Sequence, residues 1–263
     1  MKVHKLAASK PTQVEITGAT EKDVSRPRAI EPCDFFFRYM FGEFFGTLLL
    51  TFLGAYFLLF YSHNSTVSVL SMGCVRFVLM YLFGEVCDAE FNPAISLGQL
   101  FCLRRPIFLS LSIISGQLFG AFIGQVLFAS LGQAIIPSAK ILNTTVQESS
   151  VLSFESTLAL EITSTFLFVI VFLTTGSFYC MSAVTIITMS LSCEAGNTVR
   201  ANGNLARSLA QSVIAAIWSK EHPFRHMDAV IAAAIMTPLV GAAVFWVLNS
   251  VKEISEVEDD SAA

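Results

Sequence analysis

Charged side chains are scarce in this chain. Asp, Glu, Lys and Arg make up 14% of its 263 residues, whereas about 25% is usual in soluble globular domains. Hydrophobic residues account for 54%, phenylalanine occurs 24 times and the mean hydropathy is +0.66. This balance excludes an ordinary soluble domain and indicates a protein embedded in a lipid bilayer.

Histidine and cysteine are also few, with 4 and 6 residues. The histidines all lie in predicted tails or loops, and neither residue type is spaced like the ligands of a metal ion. The cysteines do not form a plausible disulfide framework. The chain also lacks a nucleotide-binding glycine loop and a nucleophile paired with a base. We therefore expect no enzymatic activity, no cofactor or metal, and no nucleic-acid partner.

Long apolar stretches dominate the rest of the chain. Residues 1–34 lack the apolar core of a signal peptide, so the first stretch should itself direct membrane insertion. The stretches lie near residues 35–61, 67–87, 107–136, 157–176, 181–195 and 227–248. Most of them reach the roughly 20 residues that a helix needs to cross a bilayer, and the fifth is the shortest. The sequence therefore predicts an all-α membrane protein with six transmembrane helices.

The distribution of lysine and arginine predicts the orientation. These residues are concentrated in the leading tail, and Arg104 and Arg105 follow the second span, which places both ends of a six-span chain in the cytosol. The two N-glycosylation sequons, at Asn64 and Asn143, then lie in loops on the opposite side. The hosting membrane, plasma or internal, stays open.

The two halves of the chain repeat a common pattern. The matching pairs are Glu43-Phe-Phe-Gly-Thr47 with Glu161-Ile-Thr-Ser-Thr165, Gln117-Leu-Phe-Gly120-Ala121 with Pro238-Leu-Val-Gly241-Ala242, and Asn92-Pro93-Ala94 with Asn204-Leu205-Ala206. Each half holds three spans, an odd number, so the second copy must enter from the opposite face as an inverted repeat. The apolar run after each Asn motif is too short to cross, which predicts a half-helix that dips in from one face.

Each Asn motif can begin such a half-helix. Asn92 is a good N-cap and the proline after it a good first helical residue, so a helix is predicted over residues 93–102, with a counterpart from Leu205 to about Trp218. Both positive N-termini would point at the middle of a pore. If Asn92 and Asn204 donate to one passing oxygen, the site disfavours cations and breaks a proton wire. Either asparagine alone could be a plain helix cap, but the matched pair favours a pore for neutral hydroxylic solutes.

Five segments together form a specific signature. They are Glu43-x-x-x-Thr47, Ala89-Glu90-Phe91-Asn92-Pro93-Ala94-Ile95-Ser96-Leu97-Gly98, Gly116-Gln117-x-x-Gly120-Ala121, Glu161, and Asn204-Leu205-Ala206-Arg207-Ser208. Over roughly residues 36–249 they resemble the signature set of the aquaporin, or major intrinsic protein, family. The first box is highly specific and the second is degenerate. The resemblance implies a right-handed bundle of six transmembrane helices and two re-entrant half-helices, assembled as a homotetramer with a pore in each subunit.

This resemblance divides the chain into five segments. They are a cytosolic N-terminal tail (1–34), a first channel repeat (35–136), an extracytosolic connecting loop (137–156), a second channel repeat (157–249) and an acidic cytosolic tail (250–263). It also implies that Glu43 and Glu161 hold the two re-entrant loops by accepting their backbone N–H groups, a suitable role for carboxylates that would be costly unpaired inside a span.

The resemblance further implies an outer selectivity constriction. Its members would be Met72, Ser192, Ala201 and Arg207. The arginine would supply fixed donors and a positive charge that repels cations. Met72 and Ser192 replace the large aromatic residue and the histidine of strict water channels, which favours leakage of solutes. Ser208 replaces the Asp usual in glycerol-conducting members, so the expected cargo is water, with glycerol, urea and ammonia as candidates.

Two further positions depart from the family pattern. Leu205 replaces the second proline, which removes pre-organisation but no hydrogen bond. Arg76 lies one helical turn after Met72, where the family has an apolar pore-lining residue. We hypothesise that Arg76 pairs with Glu90 or a neighbouring acid and narrows or gates the inner half of the pore. The arginine could equally turn away between helices.

Three functions are compatible with these residues. The main hypothesis is a passive channel for water and small neutral solutes that excludes ions and protons, with the lipid bilayer and those solutes as partners. The alternative is a poorly conducting or non-conducting member of the family with a junction or scaffold role, which the degenerate second box and Arg76 favour. A proton-coupled transporter could use Arg76 and the nearby acids as a relay, but the half-helix pattern fits a channel better.

Overall fold

The computed structural model describes residues 32–60, 65–135, 153–194, 203–218 and 224–262, which belong to one unit that begins at Pro32. Within these ranges all regular elements are α-helices and no strand occurs. The helices are α1 (Pro32–Phe60), α2 (Ser65–Phe83), α3 (Pro93–Phe101), α4 (Ile107–Ile135), α5 (Phe154–Thr174), α6 (Phe178–Glu194), α7 (Leu205–Trp218) and α8 (Met227–Ala262). The predicted all-α class is confirmed.

Helix length separates the spanning elements from the half-helices. Five helices, α1, α2, α4, α5 and α8, are long and apolar enough to cross a bilayer. The helix α6 is shorter, with an apolar part of Phe178–Cys193, and it corresponds to the shortest of the predicted spans. With 9 and 14 residues, α3 and α7 are too short to cross, and both begin directly after the Asn of their box.

The outside of the bundle is apolar and much of its interior is polar. Phe108 and Phe119 are 76% and 67% exposed on α4. Glutamate, arginine, asparagine and glutamine side chains are instead buried among the helices. This distribution is the reverse of that in a soluble domain, and it fits a lipid-facing surface around a polar interior.

Glycines in α4 let this helix approach α1 closely. The helix α4 packs along α1, and α5 packs in the same way along α8. A Cβ atom at Gly120 would overlap the backbone carbonyl oxygen of Phe44, and one at Gly124 would overlap that of Leu48. Contact between α1 and α4 is therefore backbone against backbone, which only small residues allow.

The last helix is longer than the sequence predicted. The predicted span covers residues 227–248, whereas α8 continues to Ala262, within the segment 250–263 that was predicted to be an acidic cytosolic tail. This segment is polar, but it contains neither glycine nor proline after Gly241. Polarity alone does not end a helix, because Glu, Lys and Ala are good helix formers.

Candidate functional site: two loops that meet inside the bundle

Both box asparagines cap their half-helices. The side-chain Oδ1 of Asn92 accepts a hydrogen bond from the N–H of Ala94, at 3.1 Å. In the second half, Oδ1 of Asn204 accepts from the N–H of Ala206, also at 3.1 Å. Each bond satisfies a backbone donor that has no partner within its own helix, so the identical geometry follows from the repeated Asn-x-Ala pattern.

The same two asparagines also join the loops to each other. Nδ2 of Asn92 donates to the carbonyl of Gly203 at 2.8 Å, and Nδ2 of Asn204 donates to the carbonyl of Phe91 at 2.7 Å. Each asparagine thus binds the residue that precedes the other one. A primary amide carries two N–H groups, so the bond orients the Asn92 amide and leaves it a second donor.

Buried glutamates lie behind both loops. The carboxylate of Glu43 on α1 accepts the N–H groups of Glu90 and Phe91, both at 2.8 Å, and Gln117 Nε2 donates to it at 2.8 Å. On α5, Oε2 of Glu161 accepts the N–H of Gly203 at 3.1 Å. The structure therefore places both glutamates against the backbone of the re-entrant loops. Their charge lies beside orphan donors rather than in lipid.

The residue before each asparagine has a left-handed backbone. Gly203 has a φ of +63° and Phe91 one of +49°. Glycine adopts this conformation without steric cost, whereas a bulky residue pays roughly 1–2 kcal/mol. Phe91 is fully buried, with its ring directly beneath Gly46, where any Cβ atom would overlap it. Packing on the ring and the two bonds to Glu43 hold the strained loop in place.

Arg76 faces the first loop. It is 2% exposed, and its Nη2 donates to the backbone carbonyl of Glu90 at 2.8 Å. Its guanidinium carbon lies 5.2 Å from the ring centroid of Phe168 on α5. In a planar trans peptide the C=O and N–H groups point in opposite directions. The peptide group between Glu90 and Phe91 is therefore held by Glu43 at its N–H and by Arg76 at its C=O.

Arg76 was predicted to pair with the carboxylate of Glu90 or of a neighbouring acid. For Glu90 this prediction is wrong, because Arg76 binds its backbone carbonyl and not its carboxylate. The Glu90 carboxylate forms an ion pair with Arg105, accepts a hydrogen bond from Ser96 and is fully buried. Arg105 also pairs with Asp88, at 2.6 Å. Arg76 takes the backbone carbonyl of Glu90 instead, because the carboxylate is already neutralised from the other side. Sequence reasoning had treated Arg105 only as a marker of orientation.

A large cavity opens on the face of the bundle where α1 begins. Its volume is about 910 Å³, and Tyr39, Asp88, Arg104 and Arg105 are among the residues that line it. Arg104 is itself anchored, since its Nη2 donates to the carbonyl of Leu173 at 2.9 Å. The cavity reaches the first loop at Asp88 and Ala89.

A second, much narrower cavity lies deeper in the bundle, beside the second box. A cavity of about 10 Å³ lies between α1, α2, α5, α6 and the second box, a space for one water molecule at most. It is lined by Leu50, Met72, Arg76, Phe168, Thr185, Thr188, Met189, Asn204 and Arg207. Met72 and Arg207 meet over Gly54, where a Cβ atom would lie 2.9 Å from Met72 Cε and 3.1 Å from Arg207 Nη2.

Of the other two predicted members of the constriction, Ser192 is among the described residues and is not part of the lining of the narrow cavity. Ser192 is buried, and its hydroxyl donates to the carbonyl of Thr188 at 2.9 Å. Thr188, one helical turn earlier, is the residue that lines the narrow cavity. Ala201 and the sequon asparagines Asn64 and Asn143 lie outside the described residues.

Paired half-helices that meet at capped asparagines, within a bundle of longer apolar helices, define an integral multi-pass membrane protein of the aquaporin fold. The family model described as Major intrinsic protein matches residues 32–247. The chain belongs to this family, whose members are transporters without enzymatic activity.

Two relatives illustrate this membership. The chain is 31% identical over 112 residues to the lens fiber major intrinsic protein of Lithobates pipiens, a match that covers 41% of this chain and 43% of that relative. Its fold is similar to the X-ray structure of the aquaglyceroporin from Plasmodium falciparum, with a TM-score of 0.61 and 22% identity over 80% of this chain and 93% of the other.

Proposed function

We propose that the protein is a passive channel for water and small neutral solutes that excludes ions and protons. The observation that carries this proposal is the reciprocal pair of bonds between Asn92 and Gly203 and between Asn204 and Phe91. The pair brings the N-termini of both half-helices to one place inside the bundle. Two positive helix ends disfavour a cation there, and amide donors can take the oxygen of a passing solute.

The narrow cavity supports the same function at its outer end. Arg207 is buried, and its Nε–H has no acceptor among the described residues. A guanidinium keeps its charge at any physiological pH and offers donors in fixed directions. Arg207 therefore donates to passing water and repels cations in this proposal, with Met72 forming the adjacent apolar wall.

Orientation and assembly complete the proposal. The large cavity with Arg104 and Arg105 lies on the cytosolic side, which also carries both chain ends. Four copies assemble with one pore in each subunit, as the family resemblance implies. Glu43 and Glu161 hold the loops, and the plasma membrane and internal membranes are equally compatible with the sequence.

A non-conducting junction or scaffold protein is the second candidate. The observation that favours it is the size of the narrow cavity, about 10 Å³, with two charged side chains, Arg76 and Arg207, on its wall. A protein whose pore is closed at the narrow cavity would keep the aquaporin fold but conduct neither water nor solutes. The two candidates differ in one measurable quantity, the solute permeability of membranes that contain the protein.

Stopped-flow swelling of proteoliposomes under water, glycerol and urea gradients tests the channel. We expect water permeability well above that of protein-free liposomes, with no proton leak. Thr188→Phe should abolish this flux because the ring fills the narrow cavity. Ile187→Phe is the matched control, since Ile187 is exposed on the outer face of the same helix, and it should conduct like the wild type. A wild-type rate equal to that of empty liposomes for all three solutes would favour the non-conducting candidate.

A further inference from the structure

We infer that Arg76 is a second selectivity residue, which restricts the channel to neutral solutes of the size of water. This inference rests on the proposed channel function. Its basis is that the Arg76 guanidinium reaches from α2 to the backbone of the first loop and lies on the wall of the narrow cavity, one helical turn from Met72.

The contacts of Arg76 hold it in a fixed position. Its Nη2 bonds to the Glu90 carbonyl, and the guanidinium lies against the Phe168 ring. That carbonyl belongs to a peptide group whose N–H is bound by Glu43. Arg76 is thus attached to a part of the loop that cannot turn freely, which makes it a fixed wall of the path and distinguishes it from a swinging gate.

The inverted repeat provides an internal reference for this position. Arg76 precedes Asn92 by 16 positions, and Thr188 precedes Asn204 by 16 positions. Both residues line the narrow cavity. A threonine occupies far less space than an arginine. The width of the narrow cavity is therefore limited by Arg76 on α2 more than by Thr188 on α6. Replacing the arginine by the residue of the second repeat would widen the path without introducing a foreign side chain.

Charge adds to the restriction by size. Arg76 and Arg207 line the same cavity, and the Nε–H of each is buried without an acceptor among the described residues. The nearest carboxylates are engaged elsewhere, Glu43 with the loop N–H groups and Glu90 with Arg105. Two guanidinium groups with unused donors suit the oxygen of a single water molecule and repel cations. A polyol would have to displace one of them.

Permeability ratios in proteoliposomes test the inference. Arg76→Thr should raise glycerol permeability roughly tenfold or more relative to water, since size discrimination in a closed pocket is commonly of that order. Arg76→Gln should give a smaller rise, because its amide can still donate to the Glu90 carbonyl. Phe168→Leu, which removes a ring that both contacts the guanidinium and lines the cavity, should also raise the ratio. Cys74→Thr, at an exposed position of α2, is the matched control and should keep the wild-type ratio.

The glycerol-to-water ratio separates selectivity from damage to the fold, because misfolding lowers both permeabilities together. An unchanged ratio in Arg76→Thr, or in Arg76→Gln if the threonine variant does not fold, overturns the inference while the channel proposal stands. A wild type that conducts no water beside a conducting Arg76→Thr variant also overturns it, because Arg76 would then close the pore. If neither the wild type nor any variant conducts, the proposed function itself fails.

Discussion

The residues that precede the two box asparagines adopt the same left-handed backbone by different means. In the second loop, Gly203 takes the left-handed backbone before Asn204 at no steric cost. In the first loop the corresponding residue is Phe91, and its conformation depends on Glu43, on the space at Gly46 and on the edge-to-face contact with Phe83 at 6.0 Å. The conformation at Gly203 therefore follows from the residue type itself, whereas that at Phe91 is imposed by its surroundings.

The walls of the path show the same asymmetry. The first half contributes Arg76 and the second contributes Thr188 at the equivalent position, while Arg207 follows only the second box. The first box has proline as first helical residue and the second has Leu205. An inverted repeat thus supplies a symmetric frame, and single substitutions within it make the two ends of the pore different.

Removal of the glutamate behind the first loop should have the largest effect. Glu43→Ala leaves the buried N–H groups of Glu90 and Phe91 without an acceptor, at roughly 1–3 kcal/mol each. We expect the apparent melting temperature in detergent to fall sharply. Glu43→Gln keeps one carbonyl acceptor and should cost about half as much. A smaller loss is expected for Glu161→Ala, because Gly203 needs no support for its conformation. Equal losses would contradict the difference between the loops.

A matched pair of glycines sharpens the comparison between the packing of the two halves. Gly120→Ala drives a Cβ atom into the backbone of Phe44, so α1 and α4 must separate, at a cost of about 1–3 kcal/mol. Gly241→Ala, at the repeated position, meets only Val169 Cγ1, at 2.7 Å. Val169 is buried and β-branched, so it must shift, but no backbone atom is overlapped, and the gain of about 1 kcal/mol in helix propensity offsets part of the crowding. The melting temperature should fall more for Gly120→Ala than for Gly241→Ala. The reverse order would refute the backbone contact.

The smallest effect is expected when the second box is made to match the first. Leu205→Pro places proline at a first helical position, where its fixed φ fits and no intrahelical bond is lost. Reduced freedom of the unfolded chain should stabilise the protein by about 0.4–1 kcal/mol. A rise of a few degrees in melting temperature with unchanged water flux is expected. A fall would mean that packing of the Leu205 side chain against the core outweighs this gain.

Local sequence signals predicted the half-helices well. Asn followed by Pro or Leu and Ala placed the start of α3 and α7, and the expected ends at residue 102 and Trp218 lie within one residue of those observed. Local signals did not predict how far α8 extends. They also did not predict that Thr188, and not Ser192, is the α6 residue that lines the narrow cavity. A polar continuation need not end a helix, and the apolar residues of α6 are spread around its circumference.

Partners of the buried charges required the folded chain. The sequence predicted that Arg76 lies near the acids around the first box. It did not predict that Arg105 neutralises the Glu90 carboxylate. Glu90 and Arg105 are separated by the whole of α3, and only the return of the chain after that half-helix brings them together. Such pairings depend on distances between elements, which no local pattern encodes.

For the aquaporin-type frame, the sequence by itself determined the number of repeats, their inversion, the capped half-helices and the residues that bear charge inside the membrane. These follow from periodicity, capping chemistry and the cost of an unpaired charge in lipid. Tertiary structure alone decided which backbone groups those charges bind, how narrow the path is beside Arg76 and which loop is strained. Each of these depends on atoms brought within hydrogen-bonding distance from helices that are remote in the chain.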